Sequence, residues 1–424
     1  MAAQLSLLSL SILSLLTTSN ALALPENHLE VRGLQSLQIE KTAAAAPDAV
    51  TNNYLVLEKS NMSSISNAVL SSLQQANGLR KRQDGSTPLI PLLGGAEFVS
   101  EVTIGSQTVK MIMDTGSSDT WLIKEGFECT DSNRKAVDES TCNFGPTYDG
   151  TITQIAGQDF QISYGDGEFV TGVFGTQDVE IAGITVQDQQ VALGTSAFWN
   201  GDGISSGLVG LAYPAITSAF KGNTRISYDP LFTSMTKQGL SSSMFSMAIQ
   251  RGGQTGGFIA FGGLPPVTFD ETFAKTPIQV LTSGGSSQRT FYTITPDALV
   301  YTGSAKTQKS QYIVDSGTTL AYLPTNVAKT LNGLFTPKAR LDPSQGAYVV
   351  NCNAKAPSLG VKIGGTTFNI NPADMVLRDP SGLCISGIQD GGSGPFILGD
   401  VFMQNVVAVF DVGAAEMRFA AHDY

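Results

Sequence analysis

Two segments of the chain are near copies of each other, and any fold must accommodate both. VKMIMDTGSSDTWL (Val109–Leu122) and QYIVDSGTTLAYLP (Gln311–Pro324) each run apolar residues into an Asp, a small hydroxyl residue, a Gly and two further hydroxyl residues; the acids Asp114 and Asp315 stand 201 positions apart. A second pair follows in the same order, GLVGLAYP (Gly207–Pro214) after the first acid and PFILGDVF (Pro395–Phe402) after the second. Repetition on this scale implies two similar lobes built from one pattern. In each, the strand carrying the Asp is expected to pass beside a Gly-marked strand where backbones approach closely.

The local pattern is that of β structure. With 42% apolar and only 14% charged residues, 45 Gly and 18 Pro, the chain reads as many short strands joined by Gly-rich turns. EFVSEVTIG and TVKMIMD form a hairpin around Gly105-Ser106, and SSMFSMAIQRGGQTGGFIAFGG another around Gly252-Gly253. DPLFTSMTKQG predicts a short helix with Asp229 as N-cap, Pro230 at the first helical position and Gly239 as its stop, and a similar helix is expected after Pro324. The fold class is therefore all-β in character, as two lobes related by an approximate two-fold axis with a cleft between them.

The chain holds only two histidines, His28 and His422. Hydrolases built on Ser-His-Asp or Cys-His need a positioned imidazole, and His-ligated metal catalysis fails on the same count. Acid and base work is left to carboxylates, Lys or Tyr. Across a two-fold axis Asp114 and Asp315 would face each other, and two carboxylates in contact cannot both ionise cheaply: one keeps a proton while the other acts as a base. Such a pair can activate a water against a carbonyl without metal, cofactor or covalent intermediate. Gly116 and Gly317 permit a turn too tight for side chains, Thr115 and Ser316 can hydrogen-bond across the axis, and Ser117 and Thr318 can donate to the outer carboxylate oxygens.

The first 82 residues differ in character. An apolar, Ser-spaced run from Leu5 to Leu16 followed by SNALA reads as a signal peptide over 1–23, too short to span a membrane. A stretch rich in Ala, Ser, Gln and Asn (24–82) ends on Lys81-Arg82, a dibasic processing site after which the mature chain would begin at Gln83. Residues 1–82 hold six of the 25 Lys and Arg and five of the 36 Asp and Glu, which leaves 19 basic and 31 acidic residues downstream, a net charge of −12. That surface excludes nucleic acid as a natural partner and suits an acidic medium. Asn61, in NMS, is the one N-glycosylation acceptor and falls in the pro-segment. The expected product is secreted, extracellular, monomeric and free of membrane anchors.

Four cysteines, Cys129, Cys142, Cys352 and Cys384, in an exported chain argue for two disulfides. Three pairings are possible; proximity favours Cys129 with Cys142 and Cys352 with Cys384, the shorter loop adding about 3 kcal/mol in a chain-entropy account. No CxxC or His cluster supports a metal site.

Taken together, the two Asp-Thr/Ser-Gly motifs, GLVGLAYP, FILGDVF and the layout of signal and pro-segment resemble the pepsin-like aspartic proteases, particularly the secreted fungal ones, from about Phe98 to Phe419. The resemblance implies a bilobal acid protease fold with an N-terminal lobe over 83–264 and a C-terminal lobe over 265–424, and Asp114 and Asp315 as the catalytic pair. It implies that QISYGDGEFVTG is the flap that closes over substrate, with Tyr164, Gly165 and Asp166 near its tip, and that Trp121 donates to the Tyr164 hydroxyl. Ile112, Leu208 and one of Phe198 or Trp199 would line an apolar pocket, and Asp400 would be an acid near the dyad favouring activity at low pH.

It further implies polypeptide substrates cleaved beside large apolar residues, inhibition by pepstatin-type compounds, and a pro-segment that covers the cleft as an intramolecular inhibitor, with Lys41 and Lys59 as candidates to reach the dyad. Asp166 resembles the residue of fungal members that accept Lys at P1. Two positions depart from the family pattern: Ser316 stands where animal pepsins have Thr, and Glu168 stands where Ser is common. The alternative is a non-catalytic binding or inhibitor protein on the same fold, against which both acids, both glycines and Tyr164 are present.

Overall fold

The computed structural model describes residues 49–61, 96–164, 167–251, 256–282, 287–343, 346–378 and 382–422. The signal stretch, most of the pro-segment with Lys41, Lys81 and Arg82, the flap residues Gly165 and Asp166, and the Gly252-Gly253 turn lie outside them.

Strands dominate, with short helices between them. The duplicated motif folds the same way twice. Strand Gln107–Asp114 lies parallel to Gly207–Gly210, with Asp114 beside Gly210, and Gly207–Gly210 in turn runs antiparallel to Thr120–Cys129. In the second copy Tyr312–Val314 lies parallel to Phe396–Leu398, which runs antiparallel to Ala321–Leu323. The Gly-marked strands are therefore the partners of the Asp-bearing ones. Their glycines are sterically required: a Cβ on Gly210 would fall 2.5 Å from the carbonyl carbon of Ser118, and one on Gly399 would overlap the Thr318 carbonyl.

The first hairpin forms as read from the sequence, Ile104 pairing with Gln107 around Gly105-Ser106. Met244–Ile249 and Gly257–Phe261 pair as the second. The helix after Pro324 spans Thr325–Leu334. The other helix, Leu231–Lys237, corrects the expectation by one residue: Pro230 is the N-cap and no side chain caps it. Asp229 lies before the cap, where its carboxylate pairs with Lys237 Nζ at 2.7 Å across the two turns of the helix.

The largest sheet has fifteen strands and carries both halves of the chain, because Met244–Ile249 pairs with Val406–Asp411, which pairs with Glu416–Ala421. Strand Tyr54–Asn61 sits in the middle of this sheet, bonded on one side to Gly257–Phe261 and on the other to Ala96–Ile104. Its Leu57 is fully buried in the main core. Phe245, Tyr292 and Phe410 pack ring to ring there, with centroids 4.5 to 5.7 Å apart. Among the described residues no helix is long and apolar enough to cross a membrane.

A charged clasp joins the end of Met244–Ile249 to the other half. Arg251 donates from Nε to Asp374 Oδ1 at 2.5 Å and from Nη2 to Asp374 Oδ2 at 2.8 Å, and Asn405 Nδ2 donates to the same carboxylate at 3.1 Å. The Asp374 side chain is only 3% exposed, so removing its partner strands a buried charge. Arg251→Ala is expected to destabilise the protein by about 2–4 kcal/mol, read as a lower denaturation midpoint in guanidinium with an unchanged slope.

Candidate active site

Each acid ends a buried strand and is followed at once by a tight turn whose own groups solvate it. Asp114 Oδ1 accepts from the Gly116 N–H at 2.6 Å and Oδ2 from the Ser117 hydroxyl at 2.5 Å. Asp315 repeats this with the Gly317 N–H at 2.9 Å and the Thr318 hydroxyl at 2.7 Å. The two turns are bonded to each other by a symmetric exchange. Thr115 N–H donates to Ser316 Oγ at 3.1 Å and Ser316 N–H to Thr115 Oγ1 at 3.0 Å. Each hydroxyl then donates to the opposite strand, Thr115 to the Val314 carbonyl and Ser316 to that of Met113. Ser316 thus makes the cross-lobe bonds, because they need only the hydroxyl.

This exchange presses the turns face to face. A Cβ on Gly116 would overlap the Asp315 carboxylate, and one on Gly317 would overlap that of Asp114, so the absence of side chains is what allows the acids to meet. Asp114 is 5% exposed and Asp315 1%. Burial pushes both carboxyls up, and the negative charge of Asp114 pushes Asp315 up further. The pair therefore keeps one proton in common. Among the described residues no group of three His, Cys, Asp or Glu is placed to hold a metal.

Around the acids lies an aromatic cluster. Trp121 Nε1 donates to the Tyr164 hydroxyl at 2.7 Å. Trp199 packs edge-on against both rings, at 5.2 Å from Trp121 and 5.3 Å from Tyr164, and stacks on Phe144 at 5.7 Å. Burial, reinforced by the charge of Asp114, raises the Tyr164 phenol well above its ordinary range, so it stays a hydrogen-bond donor. Ile112 and Leu208 are strand neighbours buried in this same cluster, while Phe198 pairs with Phe169 on the adjoining hairpin limb.

Residues 97–422 match the family model of the eukaryotic aspartyl proteases. The chain belongs to that family. A probable aspartic-type endopeptidase of Aspergillus fumigatus is 45% identical over 359 residues, covering 80% of this chain and 82% of that one. Rhizopuspepsin-4 of Rhizopus niveus is 30% identical over 79% of this chain and 80% of its own, and penicillopepsin-1 of Talaromyces stipitatus 29% over 82% and 84%. In fold, the crystal structure of an aspartic proteinase from Irpex lacteus superposes with a TM-score of 0.62 at 20% identity, covering 77% of this chain and 95% of that chain. The protein is a pepsin-like aspartic endopeptidase, and its substrates are polypeptides.

Two further carboxylates surround the pair in this aspartyl protease. Asp400 is fully buried and neither of its carboxylate oxygens has a hydrogen-bond partner among the described residues. Its N–H bonds the carbonyl of Thr318, the residue whose hydroxyl holds Asp315. Burial first, and the charge of Asp315 second, raise its carboxyl well above the usual range.

Asp119 was not singled out from the sequence. It is fully buried and binds the Ser218 N–H at 2.8 Å and the Tyr228 hydroxyl at 2.8 Å, tying the first turn to the 218–228 segment. Its one visible signal is a second acid five residues after Asp114.

The disulfides join Cys129 to Cys142 and Cys352 to Cys384. The first closes the loop beside Phe127 and Phe144, where a cavity of about 330 Å³ opens between Glu139, Ser140, Asn143 and Thr147.

The raised acids set the sign of the pH dependence. Below the ordinary carboxylate range Asp400 is protonated folded or unfolded, and burial costs nothing. As pH rises the unfolded chain loses that proton first, so stability falls by about 1.4 kcal/mol per pH unit for each such group until its folded pKa is passed. Asp114, Asp119 and Asp315 shift in the same direction. Guanidinium unfolding between pH 4 and pH 7 is expected to show declining stability, with a slope reduced by up to one proton in Asp400→Asn.

Proposed function

We infer that Asp114 and Asp315 are the catalytic pair of a secreted acid endopeptidase made as a zymogen. The observation that carries this is the cross-bonded pair of turns, which buries two carboxylates against each other; in such a pair one carboxyl keeps its proton while the other is a base. A water held by both is activated as the ionised carboxylate removes its proton and the water oxygen adds to the scissile carbonyl carbon. The protonated carboxyl gives its proton to the carbonyl oxygen. The resulting gem-diol collapses as one of its hydroxyls gives a proton to the ionised carboxylate, the protonated carboxyl gives its own to the amide nitrogen and the C–N bond breaks, which releases an acid and an amine and leaves the pair with one proton. Ser117, Thr318 and the N–H groups of Gly116 and Gly317 hold the carboxylate planes throughout, so little reorganisation accompanies the reaction.

The hairpin of Thr153–Ser163 and Phe169–Ile181 is the flap, and Tyr164, braced by Trp121, is its functional residue, with Gly165 and Asp166 bonding the peptide backbone. Ile112, Leu208 and Trp199 make the adjoining pocket apolar, which favours large apolar residues beside the scissile bond. Asp400, buried behind the Asp315 turn, is the acid near the dyad that favours activity at low pH.

Residues 1–23 are the signal peptide and 24–82 the pro-segment, cut after Lys81-Arg82, with lobes over 83–264 and 265–424. Strand Tyr54–Asn61 supports this reading, since it holds a central place in the sheet through Leu57 and through a Glu58–Lys110 ion pair of 2.6 Å. Lys59 is exposed and forms no ion pair with Asp114 or Asp315, yet its charge is felt at Asp400. The secreted enzyme is a monomer inhibited by pepstatin-type compounds.

Processed protein is expected to cleave polypeptides between about pH 2 and 6, to be blocked by pepstatin, and to lose activity by at least 10³-fold in Asp315→Asn. Full activity in that variant would sink the assignment. Asp166→Ala is expected to abolish cleavage after Lys while sparing cleavage after Phe or Leu in a peptide library; unchanged Lys cleavage would remove Asp166 from substrate selection.

A further inference from the structure

Glu168 lies beside the tip of the Tyr164 hairpin, where a charged residue ordinarily faces water, yet it is fully buried. Its main chain closes the hairpin: the Tyr164 N–H donates to the Glu168 carbonyl at 2.7 Å. Its side chain reaches the other way, to the wall of the lobe. Glu168 Oε1 accepts from the backbone N–H of Asn200 at 2.6 Å and from Asn200 Nδ2 at 3.0 Å.

Asn200 directly follows Trp199, whose ring touches both Tyr164 and Trp121. The 199–203 segment is itself fixed to the disulfide at Cys142. Gly201 N–H donates to the Cys142 carbonyl at 3.0 Å, Asn143 Nδ2 to the Gly201 carbonyl at 2.8 Å, and Gly203 N–H to the Asn143 carbonyl at 2.7 Å. The disulfide-closed loop grips the same hairpin limb a second time, with the Arg134 guanidinium 4.1 Å above the Phe169 ring. A continuous chain of bonds therefore runs from the Cys129–Cys142 loop through Asn200 and Glu168 to Tyr164.

Burying a carboxylate is unfavourable unless it is well bonded, and a small neutral residue would close the same turn. The acid is explained by what it reaches. We propose that Glu168 is a positioning residue that latches the flap to the Trp199–Asn200 segment and so holds Tyr164 in register over Asp114. The proposal rests on the reading of this hairpin as the flap. Without the latch the flap spends less time in the substrate-ready register, and apparent affinity falls in proportion. The bond accepted by Oε1 is the essential element, so an amide that keeps this oxygen does the same work.

The test uses the processed enzyme and a quenched octapeptide with Phe-Phe at the scissile bond. Glu168→Ala is expected to raise KM about tenfold and to leave kcat within about threefold, whereas Glu168→Gln stays within about twofold of wild type in both. Trp121 and Trp199 are the only two tryptophans in the chain and both touch Tyr164, so tryptophan emission is expected to shift in Glu168→Ala and to be restored in Glu168→Gln.

Wild-type KM and emission in Glu168→Ala overturn the proposal, as does a Gln variant as impaired as the Ala one. If Glu168→Ala does not fold, Asn200→Ala carries the test. It removes the Nδ2 bond to Glu168 while keeping the backbone N–H bond and is expected to raise KM about threefold; no change in KM overturns the latch. Tyr164→Phe separates the two levels. If it leaves kcat/KM unchanged, the flap reading fails and the latch with it; if it lowers kcat/KM while Glu168→Ala does not, the flap stands and the latch fails.

Discussion

The rest of the molecule is arranged around two buried carboxylates that must touch. Left alone they repel, and burial deepens the penalty for charge on either one. The cross-bonding of Thr115 and Ser316 forces them together nonetheless, with four hydrogen bonds that each span about 200 residues of sequence. The free energy to hold that arrangement comes from outside it. The Asp-bearing strands are locked against their Gly-marked partners, and the fifteen-stranded sheet carries both halves of the chain. A site of this kind is held by a frame built far from it in sequence.

The acidity of the site follows from that support. Asp114, Asp119, Asp315 and Asp400 all sit in low-dielectric surroundings; in the first three the cost of desolvation outweighs the hydrogen bonds that favour the charged form, and in Asp400 burial is reinforced by the charge of Asp315. A fold that concentrates buried acids in this way is compatible with low pH, where the protons it needs are supplied, and loses stability as they are withdrawn. The −12 net charge of the chain beyond residue 82 points in the same direction, since surface repulsion also eases as carboxylates protonate.

The aromatic cluster connects this centre to the hairpin above it. Trp121 belongs to the strand just after the first acid, Tyr164 to the hairpin, Trp199 to the limb of the next strand, and Phe144 to the segment after the disulfide loop. Four separate stretches of chain meet there, edge to face except where Trp199 stacks on Phe144. The hairpin is thereby tied to the strand that follows the first acid, through ring contacts and the 2.7 Å Trp121–Tyr164 bond. The Arg251–Asp374–Asn405 clasp performs a comparable service at the other end of the sheet, where one half of the chain is tied to the other.

Much of this was legible from residue types and their spacing alone. Repetition marked the acids, the near absence of histidine left carboxylates to do the chemistry, and the hydroxyl residues after each Asp had few other uses. The hydroxyl bonds to each Asp and the exchange between Thr115 and Ser316 form as read, because they concern groups that act within a few residues of each other or on both sides of a repeat. Boundaries were less legible: Pro230 capped its helix where Asp229 had been expected, since an acid that can reach Lys237 need not cap. The burial of Asp119, the placement of Tyr54–Asn61 in mid-sheet and the reach of Glu168 to Asn200 were decided only by tertiary structure. Each joins residues far apart in sequence, at positions where an acid or an apolar strand would look equally at home in solvent, and only packing determines which of them is buried and what it meets.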